Sequence, residues 1–242
     1  MPSVWFVIPA WGRVALSAVC FQELRWALDH LPGADGYAVV IADDGNIDIA
    51  RKLGFHTVTQ ASSPLGRKYN DGFQFAANCG ADYVVPVGSD NWILPRTVFT
   101  ELPANDEIFT SRQHAMVDET GTRLARLSVM DQFNRYGAGP FVIPAELLKA
   151  CGDRPATDEA ENGIDASTIS NLTGANPGAR LTFREIDHLA WVGFKSHLNL
   201  HSFDQFEHLW ESVGPEPFWQ LESLYPENVV LAAEEFYRCE SR

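Results

Sequence analysis

At 242 residues the chain has room for one large domain, and its 45% apolar and 12% aromatic content excludes a disordered protein. A formal charge of −14 excludes the clustered Lys and Arg surface that nucleic-acid phosphates require. Charge is uneven: residues 1–100 carry 7 basic and 9 acidic side chains, residues 101–242 carry 11 and 23, so an anionic ligand meets less repulsion in the first hundred.

Residues 4–9 (VWFVIP) form a continuous apolar run, the pattern of a strand buried on both faces. Leu16, Val19, Cys20, Leu24 and Leu28 then recur at helical spacing, predicting a helix over about 14–30 that Leu31-Pro32-Gly33 stops. YAVVIA (37–42) reads as a second buried strand ended by Asp43-Asp44-Gly45-Asn46, followed by a short helix around 47–53 and a brief strand over His56–Gln60. Gly66–Cys79 reads as a helix with Tyr69, Phe73, Ala76 and Ala77 inward and Gly80 as its stop, and Tyr83–Val87 as a strand running into Gly88-Ser89-Asp90-Asn91.

The second half is less regular. Glu107–Val117 and Pro140–Ile143 read as strands, Pro144–Ala150 as a short helix, residues 152–163 as a polar acidic loop suited to a lid, Asp165–Leu172 as a helix and Arg180–Ile186 as a strand. Ser202-Phe203-Asp204-Gln205 has capping-box spacing and predicts a helix with Phe203, Phe206, Trp210 and Val213 on one face, broken by Pro215 and Pro217. A last helix is expected over 228–238.

The alternation predicts an α/β fold, a mostly parallel central sheet with helices on both faces plus a helical C-terminal extension. Residues 1–100 and 101–200 are expected to form two halves of one domain, and 201–242 the extension. No run approaches the roughly 18 apolar residues of a membrane span. The start of the chain reads as a strand rather than a leader. Cys20, Cys79, Cys151 and Cys239 are scattered, which predicts reduced, mostly buried thiols and a cytoplasmic protein. In parallel α/β sheets ligands bind beyond the carboxyl ends of the strands. Three strands end there in polar or turn residues: Pro9-Ala10-Trp11, Asp43-Asp44-Gly45 and Gly88-Ser89-Asp90.

These three blocks resemble the GT-A (Rossmann-like) glycosyltransferases of the broad family 2 type. VWFVIPAWGR is similar to the family's opening strand and V-I-P-x-x-x-R turn. VVIADDGN is similar to its Asp-Asp-Gly-Ser strand end, and GRKYNDGFQFAANCGADYVVPVGSDN to its Gly-x-x-x-Asn helix and the strand bearing its Asp-x-Asp metal motif. The likeness spans residues 4–95, and it implies that residues 1–100 are a nucleotide-sugar-binding half and 101–200 an acceptor-binding half. It implies a hexosyltransferase that moves a sugar from a UDP- or GDP-type nucleoside-diphosphate sugar to a hydroxyl on a protein, glycan or lipid, with Mn²⁺ or Mg²⁺ on the diphosphate.

The residue types suit that chemistry. Pro9, Ala10 and Trp11 would line a base pocket, and Asp43 or Asp44 can accept from ribose hydroxyls or a base N–H, or else cap the following helix. Arg13 and Ser89 join the donor-binding set. Arg67 and Lys68 at a helix start suit a diphosphate, and Asn70 is positioned to bind ligand or tie a loop down. Asp90 is the expected metal ligand, but Gly88 stands at the first Asp of Asp-x-Asp, leaving a single carboxylate. His188 and His197 are candidates to complete the ion. For the acceptor base the resemblance points to Asn162-Gly163-Ile164-Asp165, with Gly at the usual position and Asp165 or Glu161 as substitutes; Asp165 also suits a helix start. A nucleotidyltransferase, for which PAWGR is a poor match, and a non-catalytic binding protein on a degenerate scaffold are the alternatives. No Walker motif, G-x-G-x-x-G or G-x-S-x-G elbow is present.

Overall fold

A computed structural model describes residues 1–61, 63–128, 139–161, 163–196, 203–204, 210–214 and 217–240. Strand β1 (Ser3–Pro9) leads to helix α1 (Val14–Asp29), β2 (Asp35–Ala42), α2 (Asn46–Lys52), β3 (His56–Thr59), α3 (Leu65–Asn78) and β4 (Tyr83–Pro86), in the order the sequence predicts. Then come β5 (Asn91–Ile93), α4 (Pro95–Val98), β6 (Glu107–Ser111), β7 (Gln113–Val117), β8 (Leu124–Ser128), β9 (Gly139–Pro144) and α5 (Ala145–Lys149). The remainder is α6 (Ile164–Ala175), β10 (Arg180–Arg184), a 3-10 turn (His188–Ala190), β11 (Trp191–Phe194), β12 (Trp210–Gly214), α7 (Pro217–Glu222) and α8 (Glu227–Glu240).

Seven strands form the main sheet in the order β10-β6-β9-β4-β1-β2-β3. Strands β1 to β4 pair in parallel, β9 runs antiparallel to both β4 and β6, and β10 is parallel to β6. Strict alternation along β1 divides its side chains between two cores. Val4, Phe6 and Ile8 join α1 and α2 on one face; Trp5 and Val7 join α3, α5 and α6 on the other. Strand β2 does the same, with Ala38 and Val40 against Val39 and Ile41. Burial on both faces explains why these strands read as unbroken apolar runs. The inward stripe of α3, Tyr69, Phe73 and Ala76, is buried as its spacing predicts.

A second sheet, β12-β8-β7-β11-β5, extends the first core. Here the structure corrects the sequence reading. Glu107–Val117 is two strands, divided at Arg112 and belonging to different sheets. The helix expected from Ser202 through Val213 is contradicted at Trp210–Gly214, an extended strand that pairs antiparallel with β8 through Trp210↔Leu127 and Ser212↔Ala125. Inter-strand hydrogen bonds there outweigh the helical spacing of the aromatic residues, and residues 205–209 lie outside the described ones. The C-terminal region is helical over α7 and α8. Of the four cysteines, all unbonded, only Cys20 is buried, which corrects the expectation of mostly buried thiols. No helix among the described residues is long and apolar enough to cross a membrane.

Candidate functional site

The carboxyl ends of β1, β2 and β4 meet at one edge, and hydrogen bonds lock their turns together. After β1, Gly12 and Arg13 both take left-handed backbone, with φ of 57° and 43°. That conformation is rare for a side chain larger than Asn and persists here because its surroundings fix it. The Gly12 N–H donates to Asp44 Oδ2 at 2.7 Å, and Asn46 Nδ2 donates to the Gly12 carbonyl at 3.0 Å and to Asp44 Oδ1 at 2.6 Å. Asp44 therefore braces the first two strand ends against each other. Asp43 beside it is exposed.

Arg13 reaches from its turn to the third strand end. Its Nη1 lies 2.9 Å from Asp90 Oδ2 and its Nη2 donates to Ser89 Oγ at 3.2 Å, with both partners of the ion pair less than a fifth exposed. Gly88 has a structural reason to be glycine. A Cβ there would lie 2.5 Å from both Asp90 Oδ1 and Asn91 Oδ1, and Asn91 Oδ1 accepts from the Gly88 N–H at 3.1 Å. Where the expected motif has its first carboxylate, the turn instead folds the Asp90 and Asn91 side chains over the glycine.

Pro9 and Ala10 are buried, whereas the Trp11 indole is 65% exposed at the same edge. Lys68 is almost fully buried and donates from Nζ to the Ala10 carbonyl at 2.6 Å; burial lowers its pKa, and Asp43 and Asp44 oppose that shift. Arg67 turns outward to Glu159 at 2.8 Å.

The acidic loop expected as a lid is fastened down. Asn70 donates from Nδ2 to the Ala156 carbonyl and to Asp158 Oδ1, both at 2.8 Å, while its Oδ1 accepts from the Ala156 N–H at 2.9 Å. Arg154 bridges Asp71 and Asp158. The Gly66 N–H donates to the Ala160 carbonyl at 2.8 Å, an approach so close that a Cβ on Gly66 would sit 1.9 Å from the Thr157 carbonyl oxygen. Glu161 accepts from Ser63 Oγ and from the Leu65 N–H. The start of α3, expected to hold phosphate, is therefore occupied by this loop, and Asn70, Arg67 and Glu161 serve the fastening.

Asp165 follows Gly163, whose φ of 63° starts α6, and its side chain is exposed. Enough protein surrounds the carboxyl nonetheless to raise its pKa by desolvation. Burial raises the pKa of the Tyr69 hydroxyl, and the negative charges of Asp165 and Asp90 add to that shift.

The structure separates His188 from Asp90, contrary to the metal expectation. The Phe194 N–H donates to the Asp90 carbonyl at 2.8 Å, so the far end of β11 meets the turn. His188 lies six residues earlier, beyond a strand that alone spans about 10 Å. It sits 3.4 Å from Asp187. His197 lies outside the described residues. Among the described residues no group of three or more His, Cys, Asp or Glu is arranged to hold a metal.

Two residues that the sequence does not single out, Lys195 and His114, interact electrostatically with Asp90. Lys195 follows β11, and Asp90, Arg13 and Glu119 all act on its ammonium. His114 on β7 is buried, which pushes its pKa down to about 3, with Lys195 adding to the shift and Asp90 opposing it. The available signal was the short apolar run AWVGF before Lys195, which is a strand.

No protein-family profile matches the sequence, and no curated protein matches it by sequence. Solved structures do. The catalytic domain of Drosophila β1,4-galactosyltransferase 7, in complex with xylobiose, is 13% identical with a TM-score of 0.54, over 82% of this chain and 71% of that one. Staphylococcus aureus TarS 1–349 is 17% identical with a TM-score of 0.55, over 80% of this chain and 60% of that one. A mannosyltransferase from Pyrobaculum calidifontis, in complex with GDP-mannose and Mn²⁺, is 14% identical with a TM-score of 0.55, over 96% of this chain and 69% of that one. The chain has the GT-A fold.

Proposed function

We propose that this GT-A chain is a glycosyltransferase that moves a hexosyl group from a UDP- or GDP-type sugar nucleotide to a hydroxyl acceptor on a protein, glycan or lipid. The observation that carries this reading is the meeting of three strand ends in one hydrogen-bonded edge, with Trp11 and Asp43 exposed there and Arg13 paired to Asp90. The GT-A fold of sugar-nucleotide-binding proteins supports it.

In this reading Trp11 offers a face to the base and Asp43 accepts from the ribose, while Asp44 and Lys68 hold the edge in shape. Arg13 and Ser89 present donors toward the diphosphate. The residues also suit Mn²⁺ or Mg²⁺, because such ions are held by one or two carboxylates together with substrate phosphates. Asp90 is the carboxylate that would hold it, and the scarcity of protein ligands leaves most of the coordination to phosphate and water. Such an ion supplies charge neutralisation on the leaving diphosphate. Asp165 is the acceptor base. An open carboxylate with a raised pKa binds a proton more firmly than an ordinary one, which favours removal of a hydroxyl proton as the bond to the sugar forms.

A panel of UDP- and GDP-sugars with Mn²⁺ tests the donor assignment. One donor at a hundredfold its dissociation constant stabilises by about 2.7 kcal/mol and raises the melting temperature by about 5–10 °C. Asp90→Asn should abolish that rise and His188→Ala should leave it intact. A flat response to every donor sinks the reading. Donor hydrolysis separates an enzyme from a non-catalytic binder.

A further inference from the structure

We propose that Lys195 binds the diphosphate of the donor beside Arg13, an assignment that rests on the donor reading above. Its backbone is fixed from three sides. The preceding residue, Phe194, donates to the Asp90 carbonyl at 2.8 Å, the Lys195 N–H donates to the Val117 carbonyl at 3.0 Å, and the Lys195 carbonyl accepts from Tyr237 Oη at 2.7 Å. The Ser89-Asp90 turn, β7 and α8 together hold this residue at the site.

The side chain is half-buried, and among the described residues its ammonium makes no hydrogen bond and no ion pair. The two carboxylates that attract it, Asp90 and Glu119, are engaged elsewhere: Asp90 with Arg13 at 2.9 Å, Glu119 with the Phe203 N–H at 2.7 Å. An ammonium withdrawn from water without an acceptor is unfavourable, and an anion placed against it relieves the loss.

Elimination points the same way. The sequence offers Arg67 and Lys68 for the diphosphate, but Arg67 is paired with Glu159 and Lys68 Nζ is spent on the Ala10 carbonyl. Arg13 and Lys195 are the cations left at the Asp90 turn. Both stand where the diphosphate would lie in the donor reading, so protein groups share the work of compensating its charge. Donor binding then persists in part when the divalent ion is chelated.

The test titrates UDP, GDP, uridine and guanosine against the whole chain and its Lys195→Gln, Lys195→Met and Lys195→Arg forms, with Mn²⁺ and with EDTA. The neutral variants are expected to bind the better nucleotide about tenfold more weakly under both conditions, as loss of one charge-assisted contact implies. Binding of the matching nucleoside stays unchanged, and Lys195→Arg recovers most of the loss. Melting curves identify any variant that has not folded, and Lys195→Met retains the packing of the stem. Unchanged nucleotide binding in the folded neutral variants overturns the assignment alone, as does an equal loss for nucleotide and nucleoside. Failure of the unaltered chain to bind UDP or GDP overturns the donor reading and this assignment with it.

Discussion

Arg13 Nη1 stands 2.9 Å from Asp90 Oδ2, so the turn after β1 and the turn after β4 are joined by one largely buried ion pair. Arg13→Gln removes the guanidinium from Asp90 Oδ2 and is expected to destabilise the chain by about 1–3 kcal/mol in urea denaturation. The same change takes a positive charge off Asp90, so the apparent affinity for Mn²⁺ in the presence of donor should rise. A variant as stable as the original chain would show that the pair contributes nothing to holding the edge.

Restoring the missing acidic residue is expected to harm the site. Gly88→Ala already places a Cβ 2.5 Å from Asp90 Oδ1 and Asn91 Oδ1; Asn91 Oδ1 is held by the Gly88 N–H and the other Asp90 oxygen by Arg13. Overpacking of this kind costs about 1–3 kcal/mol. Gly88→Asp adds a second negative charge to the same space, so both stability and donor affinity should fall in melting and titration experiments.

Asp165→Asn separates base from scaffold. With the raised carboxyl as base, turnover should fall by about 10²–10⁴ while donor affinity holds. Because the folded pKa lies above the usual value, the acid limb of kcat/KM in the original chain should lie above the ordinary aspartate pKa of about 3.9, with activity rising as the group deprotonates. Unchanged turnover would remove Asp165 from the chemistry.

Buried Glu23 makes stability depend on pH. Its side chain is fully enclosed, Oε1 accepts from the Ile93 N–H at 3.2 Å, and desolvation raises its pKa well above the ordinary carboxylate value of 4.5. The folded state thus binds the proton more tightly than the unfolded state. Its stabilisation is complete below pH 4.5 and is lost as pH rises toward the folded pKa, by up to about 1.4 kcal/mol per unit. Glu23→Gln keeps an acceptor for Ile93 and should flatten that slope in denaturation midpoints measured across pH.

The loop over the start of α3 depends on one amide. Asn70→Ala strips the Ala156 N–H and carbonyl of their partner, which costs about 1–3 kcal/mol and should speed hydrogen exchange across residues 153–161. Exchange that stays slow would assign the fastening to Arg154 and its two aspartates instead.

The first half of the chain was legible because β1, β2 and β4 are covered on both faces. Burial of Val4 through Ile8 or Ala38 through Ala42 leaves a continuous apolar signature that no helix of the region shares. In the second half the strands are short, and Thr110, Ser111, His114 and Gly193 interrupt their apolar runs although most of these strands lie inside the two sheets. Strand β11 is four residues long, and Glu107–Val117 changes sheet in mid-run without a glycine or proline to mark the division. The site follows the same logic. Asp90, Asp43 and Arg13 announce themselves by lying next to clear strands. Lys195 depends on a strand the pattern hides, and the other commitments of Arg67 and Lys68 arise from residues about 90 and 58 positions distant.

Strand β9 carries a consequence for recombining such chains. It runs reversed between β4 and β6, with Val84 opposite Ile143 and Phe109 opposite Val142. A cut after α4 would strip the outer margin of β4 of its neighbour, and bare margins of that kind invite pairing with foreign strands. The seam between the proposed donor-side and acceptor-side segments therefore passes through the interior of the sheet. A chimaera that takes its acceptor-side segment from another protein needs a graft with its own reversed strand, set in the register of Val84 and Ile143.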